Sequence, residues 1–477
     1  MLQPQVLTAK AASYPGLNVA GIEGTVLATI VNKKCCDVEK IDVTKLPKRE
    51  VSHRSLFKAL KGGSGRSFIL ECKKSSPTLG DFCKDFNLDR LIDCYERHAA
   101  AVSVLCEEHF FKGSLEYLKH VRAHTSLPVI CKDFIICREQ LEAANSAGAD
   151  AVLLMLSLLT HERFTELYDH ARSLGLEVLC EVDSEDDARF AASHKLPIIG
   201  INNRDLRILK IDLQNAKRLS ALLPKNCAIV SESGINSYAD LRSLSPIKSF
   251  LIGSSLSGAK NVYFAANSML YGLNKVCGIR DEASLDAAIA GHASIAGLIF
   301  AKKSPRALDP ETAALLVKHG HPYIDFAAVF VDEDLDEMVR IVKKTDVDYI
   351  QLHGHESAEL IAALRKELPG VKIIKALCIK GNDDFKAYLK YEKICDLMLL
   401  DSGSPGSGTS FAWGEIPAYI DKTKALLSGG IGIDNIHKAL DQGFCGLDMN
   451  SQLECEKGIK DPALIKKALD IIKEYIH

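Results

Sequence analysis

The sequence predicts an α/β protein made of two tandem (β/α)8 TIM barrels. Three observations point there. The chain of 477 residues exceeds what one hydrophobic core usually supports. Short β-branched runs alternate with amphipathic stretches such as "LEAANSAGA" and "RFTELYDHARSLG", which implies parallel strands joined by helical crossovers. The strand candidates fall into two successive sets of eight, the count of a closed barrel of about 200–250 residues. An open doubly wound sheet gives a similar periodicity. The equal counts, and the lack of a dinucleotide fingerprint after either first strand, favour barrels.

The first set reads "FILECK", "AVSVLC", "PVICKDF", "ADAVLLML", "LEVLCEV", "PIIGINN", "CAIVSES" and "SFLIGSS". A helical stretch, "AKNVYFAANSMLYGL", closes it. The second set begins at once with "NKVCGI", "AGLIF", "FAAVFVD", "DYIQLHG", "VKIIKAL", "DLMLLDS", "ALLSGG" and "GLDMNS". The expected domains are therefore 1–272 and 273–477, divided near Gly272. The first 60 residues precede the first strand and are partly helical in pattern, suited to cap the barrel bottom or to contribute to a site.

With 47% apolar and 25% charged residues, the composition is that of an ordinary soluble α/β protein. A net charge of -3 gives no reason to expect a nucleic-acid or anionic-membrane partner. The N-terminus lacks the layout of a secretory signal and no apolar run approaches a membrane span, so a cytoplasmic, monomeric two-barrel chain is expected. Fifteen cysteines are scattered singly with no C-x-x-C pair, which predicts reduced thiols and no structural zinc. No metal and no cofactor is expected.

In a barrel the C-terminal strand ends share one mouth, where reacting groups gather. In the first set those ends carry Glu71 and Lys73, Lys132, Glu181, Asn202 and Arg204, and Glu232 and Ser233. Lysines and carboxylates crowded together shift one another's pKa, so that one can donate a proton while another accepts. Any one of these charges alone reads as a solvated strand end; the set over five strands reads as a proton-transfer site. After strands seven and eight, "SESGI" and "IGSSL" pair glycine with serine where barrels commonly hold a phosphate. The second set repeats this with "SGGIG" and "GLDMNSQ", which argues for two phosphorylated small-molecule substrates.

Polar ends are sparser in the second set: Cys277, Arg306, Gln351 with His353, and Asp401. A thiol and a carboxyl across one mouth can form a base–acid pair if the surroundings lower the thiol's pKa, although a strand-end cysteine is more often core filler. "GGSGRS" at 62–67 and "GSPGSGTS" at 403–410 lack the lysine of a nucleotide loop and read as plain loops. "HGHE" at 353–356 and "HGH" at 319–321 read as solvated loop histidines rather than metal ligands.

At these residues a resemblance appears. "ECKKSSPTLG", "ICKDFII", "CEVDSEDD", "IIGINNRDL", "IVSESGI" and "FLIGSSL" resemble indole-3-glycerol-phosphate synthase. "KVCGIRD", "GLIFAKKSPRAL", "VFVDE", "IQLHGHE", "IIKAL", "LLDSGSPGSG", "LSGGIG" and "GLDMNS" resemble phosphoribosylanthranilate isomerase. The order is that of the bifunctional tryptophan-biosynthesis family in which the synthase precedes the isomerase.

The resemblance implies an Amadori rearrangement of N-(5-phosphoribosyl)anthranilate in the C-terminal barrel, then indole ring closure with loss of carbon dioxide and water in the N-terminal one. It implies Asp401 as general acid, Cys277 as general base and Arg306 on the anthranilate carboxylate. Gly429, Gly430, Asn450 and Ser451 would hold the phosphate, and Gln351, His353 and Asp448 would join the binding set. In the synthase half it implies Lys132 as general acid on the ketone and Lys73 on the carboxylate, with Glu71 and Glu181 as acid or base groups of later steps. Asn202 and Ser233 would orient the ring, Arg204 would bind substrate, and Ser76, Gly234, Gly253 and Ser254 would hold phosphate. Lys74 receives no role. Two departures stand out: Thr78-Leu79 where the family pattern has serine-lysine, and Gln452 where it has a small residue. Lysine Schiff-base chemistry at Lys73 or Lys132, and a chain in which one barrel is only a phosphate-binding or structural partner, are the competing readings.

Overall fold

The computed structural model describes residues 3, 5–402 and 413–476; the loop expected at 403–410 lies outside them. All sixteen expected strands form. The first barrel comprises β1 Ser67–Cys72, β2 Ala101–Leu105, β3 Val129–Lys132, β4 Ala151–Met155, β5 Glu177–Val182, β6 Ile198–Asn202, β7 Ala228–Glu232 and β8 Ser249–Ile252. Each strand pairs in parallel with the next, and β1 closes the ring against β8. The second comprises β9 Lys275–Cys277, β10 Ile295–Ile299, β11 Asp325–Phe330, β12 Tyr349–Leu352, β13 Lys372–Ile379, β14 Leu397–Ser402, β15 Ala425–Leu427 and β16 Gly446–Met449, closed by β9 against β16.

Both faces of these strands are covered, by barrel interior and by helices, so they read as continuous apolar runs. Within the second barrel Ile295, Ala327, Tyr349, Ile374, Leu399 and Leu426 form one buried cluster. Crossover helices start where Thr160, Ser184, Asp281, Asp309 and Ser357 accept from backbone N–H groups of the first turn, which satisfies otherwise orphaned donors.

The chain falls into two compact units, one running to Asn236 and over Asp240–Val262, the other comprising Ser237–Ala239 and Tyr263–Tyr475. The helix Val262–Tyr271, which the sequence order attaches to the first series, thus lies almost wholly with the second unit. Asn267 Nδ2 donates to Ala293 O and Tyr323 O at 3.1 and 3.2 Å, and Tyr263 meets Tyr323 edge-on.

The N-terminal extension serves both purposes expected of it. Helix α1, Val26–Asp37, lies over the first mouth, where Val26, Leu27 and Ile30 line the cavity. Lys34 ties it down through a 2.7 Å pair with Asp133, just beyond β3. The chain then reaches the other end of the barrel. There Arg49 pairs with the fully buried Asp150 at 2.9 Å, ahead of β4, and Ser55 Oγ donates to Glu177 at the start of β5.

Candidate active sites

In the first mouth a cavity of about 420 Å³ is lined by Glu71, Lys73, Ser76, Lys132, Glu181, Asn202, Arg204, Ser233, Gly234, Gly253 and Ser254. Of the first-set residues expected there from the sequence, Glu232 alone does not line the cavity. These charges are not solvated strand ends: Glu71, Glu181 and Glu232 are all at most 3% exposed. Lys73 Nζ lies 2.6 Å from Glu71, and Lys132 Nζ bridges Glu71 at 3.3 Å and Glu232 at 3.0 Å. The barrel register makes this convergence possible, since Asn202 at the end of β6 pairs with Glu232 at the end of β7.

The shared charge separates the carboxylates. Burial works to raise the pKa of Glu71, but the adjacent Lys73 and Lys132 outweigh it and hold the group below its usual range. At Glu181 burial and the charge of Glu232 prevail over Lys132 and push the pKa up to about 8. Burial alone would lower Lys132, yet Glu232, Glu71 and Glu181 together hold its ammonium well above the ordinary range. One mouth thus contains a carboxylate, a carboxylic acid and an ammonium at neutral pH.

The phosphate-type loops lie beside this group. An added Cβ at Gly253 would come 2.3 Å from Glu71 Oε1 and 3.0 Å from Lys73 Nζ, so only glycine lets the loop after β8 approach the pair. Ser233 adopts a left-handed φ of 66° at the cavity wall. Ser76 lines the cavity, but its hydroxyl also accepts from Leu79 N at 3.2 Å and fixes the loop in which Leu79 is exposed. Burial lowers the pKa of Arg204 and, among the described residues, no carboxylate forms an ion pair with it, which suits an incoming anion. Lys74 donates to Tyr117 Oη at 2.7 Å and lies over the rings of Tyr117 and Phe86, a structural setting. The apolar wall formed with Val26 and Leu27 by Phe111, Phe134, Leu206 and Leu209 was not expected beyond the N-terminal extension, whose signal is the apolar run "VLATIV".

In the second mouth a cavity of about 720 Å³ is lined by Cys277, Arg306, His353, Asp401, Gly430, Asp448, Asn450 and Ser451 among others. Gly429 and Gln351 stand behind this wall. Gly429, at φ 96°, packs against Ser402, and Gln351 Nε2 lies 3.0 Å from His353 Nδ1. His353 Nε2 lies 3.2 Å from Asp401 Oδ2, and Ser402 N–H donates to Asp401 Oδ1 at 2.8 Å. The reading of His353 as a solvated loop residue is corrected here. Its side chain is 10% exposed, because the carboxylate at the end of β14 draws it inward. Burial lowers its pKa, but Asp401 and Cys378 outweigh that and raise it to about 9. His319 and His321 pair instead with Asp286 and Asp348.

Lys275 escaped the sequence reading. Wholly buried inside β9, it pairs with Asp448 at 2.9 Å and faces the Cys277 thiol. Burial outweighs the opposing Lys275 ammonium and holds the thiol's pKa above its ordinary value, not below it as the base–acid pairing expected. A Cβ at Gly297 would lie 2.8 Å from Cys277 Sγ and 3.0 Å from Lys275 Nζ, so glycine in β10 provides their space. Arg306, expected to meet a substrate carboxylate, already holds Glu454 through two bonds of 2.6 and 2.9 Å. Gln452 packs its side chain on Gly432. Among the described residues no helix is long and apolar enough to cross a membrane.

Comparison with known proteins agrees with both mouths. Residues 27–269 match the indole-3-glycerol phosphate synthase family and residues 274–471 match the N-(5'-phosphoribosyl)anthranilate isomerase family. The tryptophan biosynthesis protein TrpCF of Helicobacter pylori is 41% identical over 86% of this chain and 90% of its own length. The TrpCF proteins of Yersinia pestis and Corynebacterium glutamicum are each 38% identical, over 89% and 94% of this chain and 88% and 96% of their own lengths. With both barrels matched in this order, the chain belongs to the TrpCF family of bifunctional tryptophan biosynthesis enzymes, an indole-3-glycerol phosphate synthase followed by a phosphoribosylanthranilate isomerase.

Proposed function

We propose that the two barrels catalyse consecutive steps in the reverse of their chain order, with the activities divided near Gly272. In the second mouth Asp401 gives a proton to the furanose oxygen of N-(5-phosphoribosyl)anthranilate and the ring opens. Cys277, as thiolate, takes the proton from the neighbouring sugar carbon, and the enolamine tautomerises to 1-(2-carboxyphenylamino)-1-deoxyribulose 5-phosphate. Lys275 offsets part of the burial that raises the thiol's pKa, because an ammonium facing the sulfur in a buried site stabilises its anion. Gly430, Asn450 and Ser451 receive the phosphate, with Gly429 shaping the loop and Asp448 beside the sugar.

In the first mouth the Lys132 ammonium polarises the ketone while the ring carbon bearing the carboxylate attacks it. Carbon dioxide leaves, and the hydroxyl then departs as water. Glu181, as the neutral acid, donates to that hydroxyl and Glu71, as the ionised base, removes the last proton. Lys73 and Arg204 hold the substrate carboxylate and neighbouring polar groups, Asn202 and Ser233 orient the ring, and Ser76, Gly234, Gly253 and Ser254 surround the phosphate. The reading rests on one observation above others: Lys132 is pinned between Glu71 and Glu232, and while Glu71 is held below its usual range Glu181 is pushed above it. A Schiff-base lysine would instead need a lowered pKa, contrary to the direction at Lys132. The protein works in a reducing cytoplasm, a reading supported by fifteen free cysteines, and as a monomer, since each mouth draws its lining from this one chain.

The test is a two-stage assay on the purified full-length chain. Cys277→Ala should stop formation of indole-3-glycerol phosphate from the ribosyl substrate, and supplying the ketose should restore it. Lys132→Met should accumulate the ketose at an unchanged isomerase rate. Failure of the unmutated chain to convert the ketose would overturn the synthase roles.

A further inference from the structure

The loop after β16 runs through Asn450 and Ser451 into a two-stranded hairpin, Glu454–Glu456 with Ile459–Lys460. None of the hairpin's residues was expected to act in the site, yet the hairpin holds a buried ion cluster against Arg306, which lines the mouth. The Glu454 carboxylate, 5% exposed, accepts Nε and one terminal nitrogen of Arg306, Lys460 Nζ at 2.7 Å and Gly458 N–H at 3.0 Å. Lys460, itself 1% exposed, continues to Asn450 O at 3.1 Å and Asn450 Oδ1 at 2.9 Å. The hairpin turn sits on the segment carrying Arg306. Gly458 has φ 90°, a Cβ there would approach Pro305 O to 2.8 Å, and Arg280 donates to Pro305 O at 3.3 Å.

This arrangement does more than fill space. An arginine offers a planar fork with two usable edges. Glu454 occupies the Nε edge of Arg306, and no described residue accepts from Nη1, so the second edge remains for a group in the cavity that Arg306 lines. Two cations against one anion also leave one positive charge, matched to a single carboxylate. Without Glu454 the guanidinium would have no fixed plane, and Arg306 and Lys460 would repel each other in a buried site.

On the isomerase assignment just made, we propose that Glu454 is a positioning and specificity-determining residue: by fixing one edge of Arg306 it presents the other to the aryl carboxylate, and so selects carboxylated aryl-amino sugars over uncarboxylated ones. Lys460 joins this carboxylate reader to the phosphate loop through Asn450, so one hairpin registers both ends of the substrate.

The experiment measures inhibition of the isomerase step of the full chain by two non-reactive reduced product analogues, one with the ring carboxylate and one without. Wild type should bind the carboxylated analogue much more tightly. In Glu454→Gln the inhibition constant for the carboxylated analogue should rise by about 30-fold, the scale of losing one partner from a buried charge pair, while that for the other changes by less than about 3-fold. Glu454→Asp should fall between, and it reads the same ratio if the glutamine variant loses its isomerase fold. Synthase turnover of the ketose by the same chain should be unaltered. Equal rises for both analogues, or no rise for either, would overturn the proposal. Absence of isomerase turnover in the wild type would instead overturn the assignment beneath it.

Discussion

Glu181 shows how one residue's environment sets its chemistry. It shares a mouth with Glu71, but Glu71 faces two lysines directly while Glu181 is left with burial and the nearby charge of Glu232. With its pKa raised to about 8, it is the acid of the pair at neutral pH. Synthase turnover is therefore expected to fall on the alkaline side with a midpoint near 8. Glu181→Gln should cut turnover by about 100-fold and abolish that limb, leaving isomerase turnover unaltered. The stability sign follows from the same shift. A carboxyl whose folded pKa is raised contributes stability below its unfolded value and loses it as pH rises through the folded one. Thermal unfolding followed at pH 6 and pH 9 should therefore show the Gln variant gaining on wild type at the higher pH, in the window ending near 8. An unchanged difference would mean that Glu181 is ionised throughout.

At the level of elements, helix α1 is the part of the first site that lies outside the barrel repeat. Its Val26, Leu27 and Ile30 supply apolar wall, and the Lys34–Asp133 pair holds it over the mouth. Lys34→Met keeps the stem but leaves Asp133 without its ammonium, at a cost of about 3–5 kcal/mol for a pair this buried. The expected outcome in steady-state kinetics is a several-fold rise in synthase KM with little loss in kcat, because the helix shapes the pocket without touching the proton-transfer groups. A kcat loss at unchanged KM would place the helix's influence on the chemistry instead. The helix was only partly legible. Its apolar pattern is visible, but its seat depends on Asp133, about a hundred residues on.

At the scale of the whole molecule, each unit has its own closed barrel and its own mouth. Units with separate cores unfold as separate cooperative steps unless coupled. Calorimetry should resolve two transitions, with the reduced carboxylated analogue shifting both, since each mouth binds that compound as product or substrate analogue. The Lys34→Met substitution should lower only the synthase transition. A single transition lowered as a whole would show that the two units share their stability.

The sequence by itself determined the sixteen strands, their grouping into two barrels and which strand-end polar groups face the two mouths, because strand periodicity and strand-end position are local properties. Glu71, Lys132, Glu181 and Cys277 were legible for that reason. What only the tertiary structure decided is how those groups pair. Lys275 looks like an ordinary charge beginning a strand, and becomes a partner of Cys277 and Asp448 only when β9 meets β16. Glu454 and Lys460, which no motif in the sequence singled out, meet Arg306, some 150 residues earlier in the chain, only in the fold. His353 looked solvated until the carboxylate of Asp401 was beside it. Residue type and spacing say which groups enter a mouth; charge state, orientation and burial depend on distances across the ring, which closure alone sets.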